Sequence, residues 1–225
     1  MTELFDWDRF HQLPIVGILR GFASEQVEPM VTACSEGGLL NVEVTMNTPD
    51  APQQIRRLRA ALGTRVNIGA GTVRNRADLD AAREAGATFI VTPAVVPEVI
   101  AACKAAALPV FAGALTPSEV WQAWQLGASL VKVFPADAFG PAYIRSLQGP
   151  FTEIPLMPTG GIACESVAAY RKAGAAALGV GGPLFSKSHA VAADWLWFTQ
   201  QARSFDHAWH DSDGKSASTF SRSFS

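Results

Sequence analysis

The sequence predicts an α/β protein, a (β/α)8 TIM barrel with an extra N-terminal helix. Three observations lead there. Short apolar or β-branched runs alternate with longer Ala-rich amphipathic segments, an order that implies a parallel sheet. The alternation repeats eight times, the number at which such a sheet closes into a barrel. The length of 225 residues suits one barrel, whereas an open doubly wound sheet would have to place as many strands without an obvious switch in pattern.

Residues 4–12 read as a helix lying across the barrel bottom. Strands are expected at 15–19, 40–45, 66–70, 89–92, 110–112, 130–134, 155–159 and 177–180. Between and after them, helical patterns cover 25–36, 51–62, 76–84, 97–106, 117–126, 141–148, 164–172 and 191–202. Thr116–Pro117–Ser118–Glu119 supplies a cap, a proline at the first helical position and an early acid, and Asn75 and Ser24 are further caps. Gly37, Gly63, Gly86, Gly127 and Gly174 follow helical segments, where a left-handed terminal residue is favoured. Residues 1–203 then form one domain. The stretch 204–225, rich in Ser, His and Asp, is too poor in apolar residues to fold alone and is expected to fray.

Composition narrows the functional classes. The chain is 48% hydrophobic and 17% charged, which excludes a disordered protein. A net charge of −2 leaves no electrostatic footprint for nucleic acid or an acidic membrane. No apolar run reaches the roughly 18 residues of a spanning helix, and residues 1–9 lack the basic-then-apolar order of a secretory signal. A soluble, cytoplasmic protein is expected. Cys34, Cys103 and Cys164 are scattered and odd in number, so they read as small buried hydrophobes rather than a disulfide framework. His207 and His210 alone share a metal-like spacing, in the polar tail, so no metal site is expected.

In a barrel of this kind the chemistry sits at the C-terminal ends of the strands. The second strand carries Glu43 between Val42 and Val44. The valines face the helices, so Glu43 points into the barrel; a solvated surface glutamate fits poorly on a strand flanked on both faces. Of five lysines, only Lys132 lies inside a strand, in Leu130–Val131–Lys132–Val133–Phe134. Burial disfavours its charged form and frees a nucleophilic lone pair, the condition for a Schiff base. A plain ion pair with Glu43 is the alternative, and the two overlap, since a carboxylate beside the amine can also carry its protons. Gly160–Gly161 and Gly179–Val180–Gly181–Gly182 follow the seventh and eighth strands, the usual place for a phosphate held by backbone N–H groups. Thr72 brings a hydroxyl to the mouth of the third strand. Arg20 brings a guanidinium to the first, a natural fork for a carboxylate. Trp121 and Trp124 share a helical segment and read as core or subunit-interface residues.

Together, Ile18–Leu19–Arg20–Gly21, Glu43–Val44–Thr45, Gly69–Ala70–Gly71–Thr72–Val73, Lys132–Val133–Phe134–Pro135–Ala136 and Pro158–Thr159–Gly160–Gly161–Ile162 resemble a known family. It is that of 2-keto-3-deoxy-6-phosphogluconate (KDPG) and 2-keto-3-deoxy-6-phosphogalactonate (KDPGal) aldolases, and the chain is nearer the KDPGal branch. The resemblance implies a homotrimeric, metal-free class I aldolase with no cofactor beyond the covalent lysine imine. Such an enzyme cleaves a 2-keto-3-deoxy-6-phospho sugar acid to pyruvate and glyceraldehyde 3-phosphate; some members also take 4-hydroxy-2-oxoglutarate. By motif, Lys132 corresponds to the Schiff-base lysine and Glu43 to the general acid/base. Thr72 and an arginine would hold the carboxylate, Thr159 would meet substrate hydroxyls or the imine, and Phe134 and Pro93 would wall the pocket.

Two departures stand out. The KDPG branch places an arginine where this chain has Asn47, so Arg20 is expected to take over the carboxylate. The phosphate loop of the family normally carries a serine, whereas Gly181–Gly182–Pro183 has no hydroxyl and one N–H fewer. That predicts weak phosphate binding or a preference for an unphosphorylated 2-keto-3-deoxy acid. Two rival readings keep the barrel and drop the imine: a phosphate-binding isomerase or synthase, and a silent sugar-acid binding protein. The second is disfavoured because burying Glu43 and Lys132 without use is costly.

Overall fold

Eight parallel strands, met in chain order, line the barrel in the computed structural model, which describes residues 5–211. They are β1 (Ile15–Leu19), β2 (Asn41–Thr45), β3 (Asn67–Gly71), β4 (Ile90–Val91), β5 (Val110–Ala114), β6 (Leu130–Val133), β7 (Leu156–Pro158) and β8 (Leu178–Val180). The sheet runs β7-β6-β5-β4-β3-β2-β1-β8, and a parallel bridge between Thr159 and Gly179 joins its two ends. The helices are α1 (Trp7–Gln12), α2 (Ser24–Glu36), α3 (Ala51–Leu62), α4 (Arg76–Glu84), α5 (Pro97–Ala105), α6 (Pro117–Leu126), α7 (Gly140–Gln148), α8 (Val167–Lys172), α9 (Lys187–Val191) and α10 (Trp195–Asp211). No helix among the described residues is long and apolar enough to cross a membrane.

The strands are buried on both faces, as helix-covered parallel strands must be. Val42, Val44, Ile68, Ala70, Val110, Ala112, Val131 and Val133 face outward and join the helices in one continuous apolar layer. Alternate residues point inward and separate into two levels. The lower level is a second apolar cluster of Val16, Phe89, Val91, Phe111, Leu130 and Met157, plugged from below by Phe5 and Phe10. The Phe89 and Phe111 ring centroids are 5.2 Å apart, and Phe5 stands edge-on to Phe89 at 5.4 Å. The expected bottom helix is therefore present as α1. It is pinned by Asn67, whose side-chain amide donates to the Asp6 carbonyl at 2.8 Å and to Asn41 at 2.9 Å. With the floor filled, the upper level is left for polar side chains.

Cap chemistry follows sequence in most places. Thr116 and Glu119 bond reciprocally at the start of α6, and Asn75 accepts from the Asp78 N–H at 2.9 Å. Ser24 is instead the first residue of α2, where Gln26 accepts from the Ala23 N–H. Gly86, Gly127 and Gly174 take positive φ, but Gly37 and Gly63 do not. At Gly37 a different demand rules: a Cβ there would come within 2.3 Å of the Thr199 carbonyl oxygen, so glycine lets α10 close on α2.

The C-terminal expectation needs correction. The helical pattern expected over 191–202 is broken: Val191 ends α9, Ala193 takes φ 52°, and Asp194 caps the start of α10. The expected fraying from Ser204 fails as far as Asp211, because α10 continues to that residue. Phe198, Ala202, Phe205 and Trp209 form one buried stripe along it, at the spacing of a helical face. The composition of the whole tail hid two large apolar residues placed where they extend that stripe. Residues 212–225 lie outside the described residues. Phe205→Ala should therefore cost about 3–5 kcal/mol, read as a lower urea midpoint with an unchanged slope. A wild-type midpoint would show that this end of the helix is not docked.

Candidate active site

Glu43 and Lys132 are the inward-facing residues of β2 and β6 immediately above the aromatic floor. They are 1% and 4% exposed, and Lys132 Nζ lies 4.0 Å from Glu43 Oε1. Glycines on neighbouring strands make the room. A Cβ on Gly71 would fall 2.3 Å from Glu43 Oε1, and one on Gly113 would strike the backbone of Pro93 at 2.3 Å. Phe134, just past β6, covers the amine, with its ring centroid 5.5 Å from Nζ. Its outer side remains 40% exposed, so it forms a wall between the amine and solvent.

Electrostatics push the pair toward its uncharged forms. Burial lowers the Lys132 pKa below its ordinary value; Glu43 opposes that shift and the Arg20 charge adds to it. Burial raises the Glu43 pKa, with Lys132 and Arg20 pulling it back. Desolvation outweighs the mutual attraction, because at 4.0 Å the two groups do not form a close ion pair. Among the described residues neither Glu43 oxygen has a hydrogen-bond partner. An unpartnered buried polar atom costs on the order of 1–3 kcal/mol, and such groups call for a chemical reason.

Arg20 and Thr72 meet as expected. Arg20, exposed at the end of β1, donates from Nη2 to Thr72 Oγ1 at 3.2 Å. Thr72 sits at φ 55°, a left-handed conformation that a β-branched residue adopts only under constraint. The β1 loop beside it is fixed by Thr48, which accepts from the Gly21 N–H at 3.0 Å and bonds Thr45 at 2.9 Å. The result is a guanidinium and a hydroxyl presented together at the rim, near enough for the Arg20 charge to act on both buried groups.

The remaining expected residues ring the same mouth. Thr159 is 3% exposed and packs over Gly179, where a Cβ would fall 2.3 Å from its Oγ1. The Thr159–Gly179 bridge sets Gly160–Gly161 beside Gly181–Gly182. Among the described residues, the N–H groups of these four glycines donate to no protein acceptor. Pro93 is half-buried at the end of β4. Sequence reasoning did not single out Gly71, Gly113, Asp137 or Lys187. The glycines alternate with small residues in Asn67–Gly71 and Val110–Ala114, a signal of close approach, but what approaches comes from other strands. Trp124 packs on the core as expected, while Trp121 is 44% exposed. The described residues contain no group of three His, Cys, Asp or Glu able to hold a metal.

A dry lysine beside a buried acid at the C-terminal mouth of a (β/α)8 barrel defines a class I aldolase, one that works through a lysine imine. Comparison with known proteins narrows this. The family model for KDPG and KHG aldolase matches residues 7–200, and the chain belongs to that family. It is 33% identical over 201 residues to the 2-dehydro-3-deoxy-6-phosphogalactonate aldolase of Escherichia coli (strain K12), covering 89% of this chain and 96% of that one. A solved structure of native KDPGal superposes with a TM-score of 0.84 at 33% identity, over 89% of this chain and 96% of that one. A KDPG aldolase from Legionella pneumophila, with pyruvate captured as a covalent carbinolamine, is 25% identical with a TM-score of 0.80, over 88% and 96% of the two chains.

The tight fit at Gly71 yields a test. Gly71→Ala should displace the Glu43 carboxylate and lower kcat by about 10²-fold, the scale expected of an ångström-sized misplacement. Steady-state kinetics on the soluble, folded variant check this; wild-type kcat would mean that the carboxylate position does not matter.

Proposed function

We propose that this aldolase cleaves a 2-keto-3-deoxy-6-phospho sugar acid, KDPGal or KDPG, to pyruvate and glyceraldehyde 3-phosphate, with Lys132 as nucleophile and Glu43 as acid and base. The observation that carries this reading is the 4.0 Å separation of the two buried groups, with burial driving each toward its neutral form. A neutral amine attacks and a neutral carboxyl donates, so the resting pair holds both reagents.

The steps balance with one shuttling proton. Lys132 adds to the C2 carbonyl, and after proton transfer within the adduct a neutral carbinolamine stands. Glu43 protonates its hydroxyl, water leaves, and an iminium forms with Glu43 as carboxylate. The carboxylate then takes the C4 hydroxyl proton, directly or through a water. The C3–C4 pair flows into the iminium, giving an enamine and the free aldehyde. Glu43 returns its proton to C3, making the pyruvate iminium. Water attack, with Glu43 again accepting a proton, and collapse of the carbinolamine release pyruvate and the neutral lysine. Arg20 and Thr72 hold the C1 carboxylate as a charged fork and a hydroxyl. Thr159 and Pro93 line the path of the sugar chain, and Phe134 keeps water from the imine. The glycine pairs 160–161 and 181–182 line with free N–H groups the part of the mouth that the terminal phosphate reaches. No step needs a metal or a cofactor.

We further propose a homotrimer acting in the cytoplasm, a compartment that keeps the three free cysteines reduced. Its support is an exposed aromatic surface, where Trp121 stacks on Phe151 at 6.0 Å between α6 and the end of α7. Light scattering should give three times the chain mass.

Borohydride reduction with pyruvate, followed by peptide mapping, should mark Lys132, and Lys132→Ala should take up no label; an unlabelled wild type sinks the aldolase reading. Glu43→Gln should lower kcat by about 10²–10⁴-fold, the usual worth of a general acid–base. The pH profile has a definite sign. Trapping should rise with pH and level off below the ordinary lysine range, since burial depresses the amine. Glu43 is the neighbour that raises the amine, so Glu43→Gln should shift this limb to lower pH. A limb at the ordinary lysine value would contradict the site.

A further inference from the structure

We propose that Lys187 is the cation that holds the terminal phosphate of the substrate, supplying as a charge what Gly181–Gly182–Pro183 lacks as a hydroxyl. This assignment rests on the aldolase reading, because it presumes a substrate already fixed at its other end by Lys132, Arg20 and Thr72.

The loop after β8 leaves the C-terminal end of the last strand. It presents the free N–H groups of Gly181 and Gly182, and a Cβ on Gly182 would meet nothing within 4 Å, so the backbone is open to a ligand. Two N–H donors do not neutralise a dianion. Five residues further on, Lys187 opens α9 with an exposed side chain that turns back over the barrel rim. Its Nζ lies 3.7 Å from where a Cβ on Gly21 would stand. Among the described residues it has no carboxylate partner. Gly21 directly follows Arg20, whose guanidinium leans the other way, to Thr72 beyond β3. The two cations therefore divide the rim: Arg20 serves the β3 side and Lys187 the side between β8 and β1.

Charge on the neighbouring loop agrees. Asp137, in the turn after β6, lies against the Gly160–Gly161 loop. Its Oδ1 is 3.4 Å from the Cβ position of Gly160, and its own Cβ is 2.5 Å from that of Gly161. A dianion on that loop lies beside a carboxylate, whereas the unpaired ammonium stands at Gly21, on the β1 side of the mouth. The mouth is polarised, and the phosphate belongs on the Lys187 side. Lys187 lies outside the loop whose missing hydroxyl and N–H point to weak phosphate binding.

The test compares wild type, Lys187→Gln and Lys187→Arg on KDPGal and its unphosphorylated counterpart, and measures inorganic phosphate binding by calorimetry. In Lys187→Gln the kcat/KM ratio of phosphorylated to unphosphorylated substrate should fall by about tenfold or more, the scale of a charge-assisted hydrogen bond lost. The loss should lie in KM, and phosphate binding should weaken in parallel. Lys187→Arg should keep most of both. An unchanged ratio, or an equal loss on both substrates as expected of a carboxylate ligand, overturns the assignment. Pyruvate labelling of Lys132 separates the two levels. Labelling with an unchanged ratio removes Lys187 alone, whereas an unlabelled wild type whose phosphate binding still depends on Lys187 removes the aldolase reading alone.

Discussion

An amine and a carboxyl held 4.0 Å apart in a space that excludes water set the terms for the rest of the molecule. In water each would be charged and neither would be useful: the lysine would lack its lone pair and the glutamate its proton. Taking both out of water pushes each toward its neutral form, at a cost that apolar packing elsewhere must offset. The aromatic floor of Phe5, Phe10, Phe89 and Phe111 closes the barrel from below, and Phe134 covers the amine from above. Both act as water exclusion as much as packing.

Barrel geometry explains why a small set of glycines accompanies the pair. Inward side chains of one level come from alternate strands, so a large side chain projects over the strand beside it and needs a small residue there. Glu43 projects over Gly71, Phe89 fills the space beside Gly69, and Thr159 lies over Gly179. The aromatic residues fill the lower level, with the Asn41–Asn67 pair beneath β2 and β3, and the upper level carries the ionisable pair. The boundary between them runs through single strands: Leu130 below and Lys132 above on β6, Asn41 below and Glu43 above on β2. Each strand thus serves stability at one end and chemistry at the other.

The rim extends the same division through charge. Arg20 is drawn to a threonine held in a strained left-handed conformation, and the paired hydroxyls of Thr45 and Thr48 anchor the loop that carries it. Strain of this kind persists only where the surroundings enforce it. Here it leaves Arg20 bonded to a neutral hydroxyl and without a carboxylate partner among the described residues, so its charge stays available to an anion. Asp137 follows β6 and Lys187 follows β8, so they stand on different loops of the mouth.

Much of this was legible in the chain. Alternating strand and helix patterns fix the barrel because a parallel sheet buried on both faces demands apolar strands joined by amphipathic helices. One lysine and one glutamate set inside such strands mark the candidate pair, since burial makes either residue rare there without a use. Caps such as Thr116 and Asn75 are read from local chemistry alone. The end of α10 was misread because composition averages over position, whereas Phe205 and Trp209 matter through their spacing. Other features have no local signature at all: the 4.0 Å gap, the room made by Gly71, the strain at Thr72, and the return of Lys187 over Gly21. Each depends on distances between strands or loops far apart in the chain. Sequence determined which groups the barrel would carry and on which face of each strand; closure of the sheet, which alone sets those distances, decided which groups meet and in what state of charge.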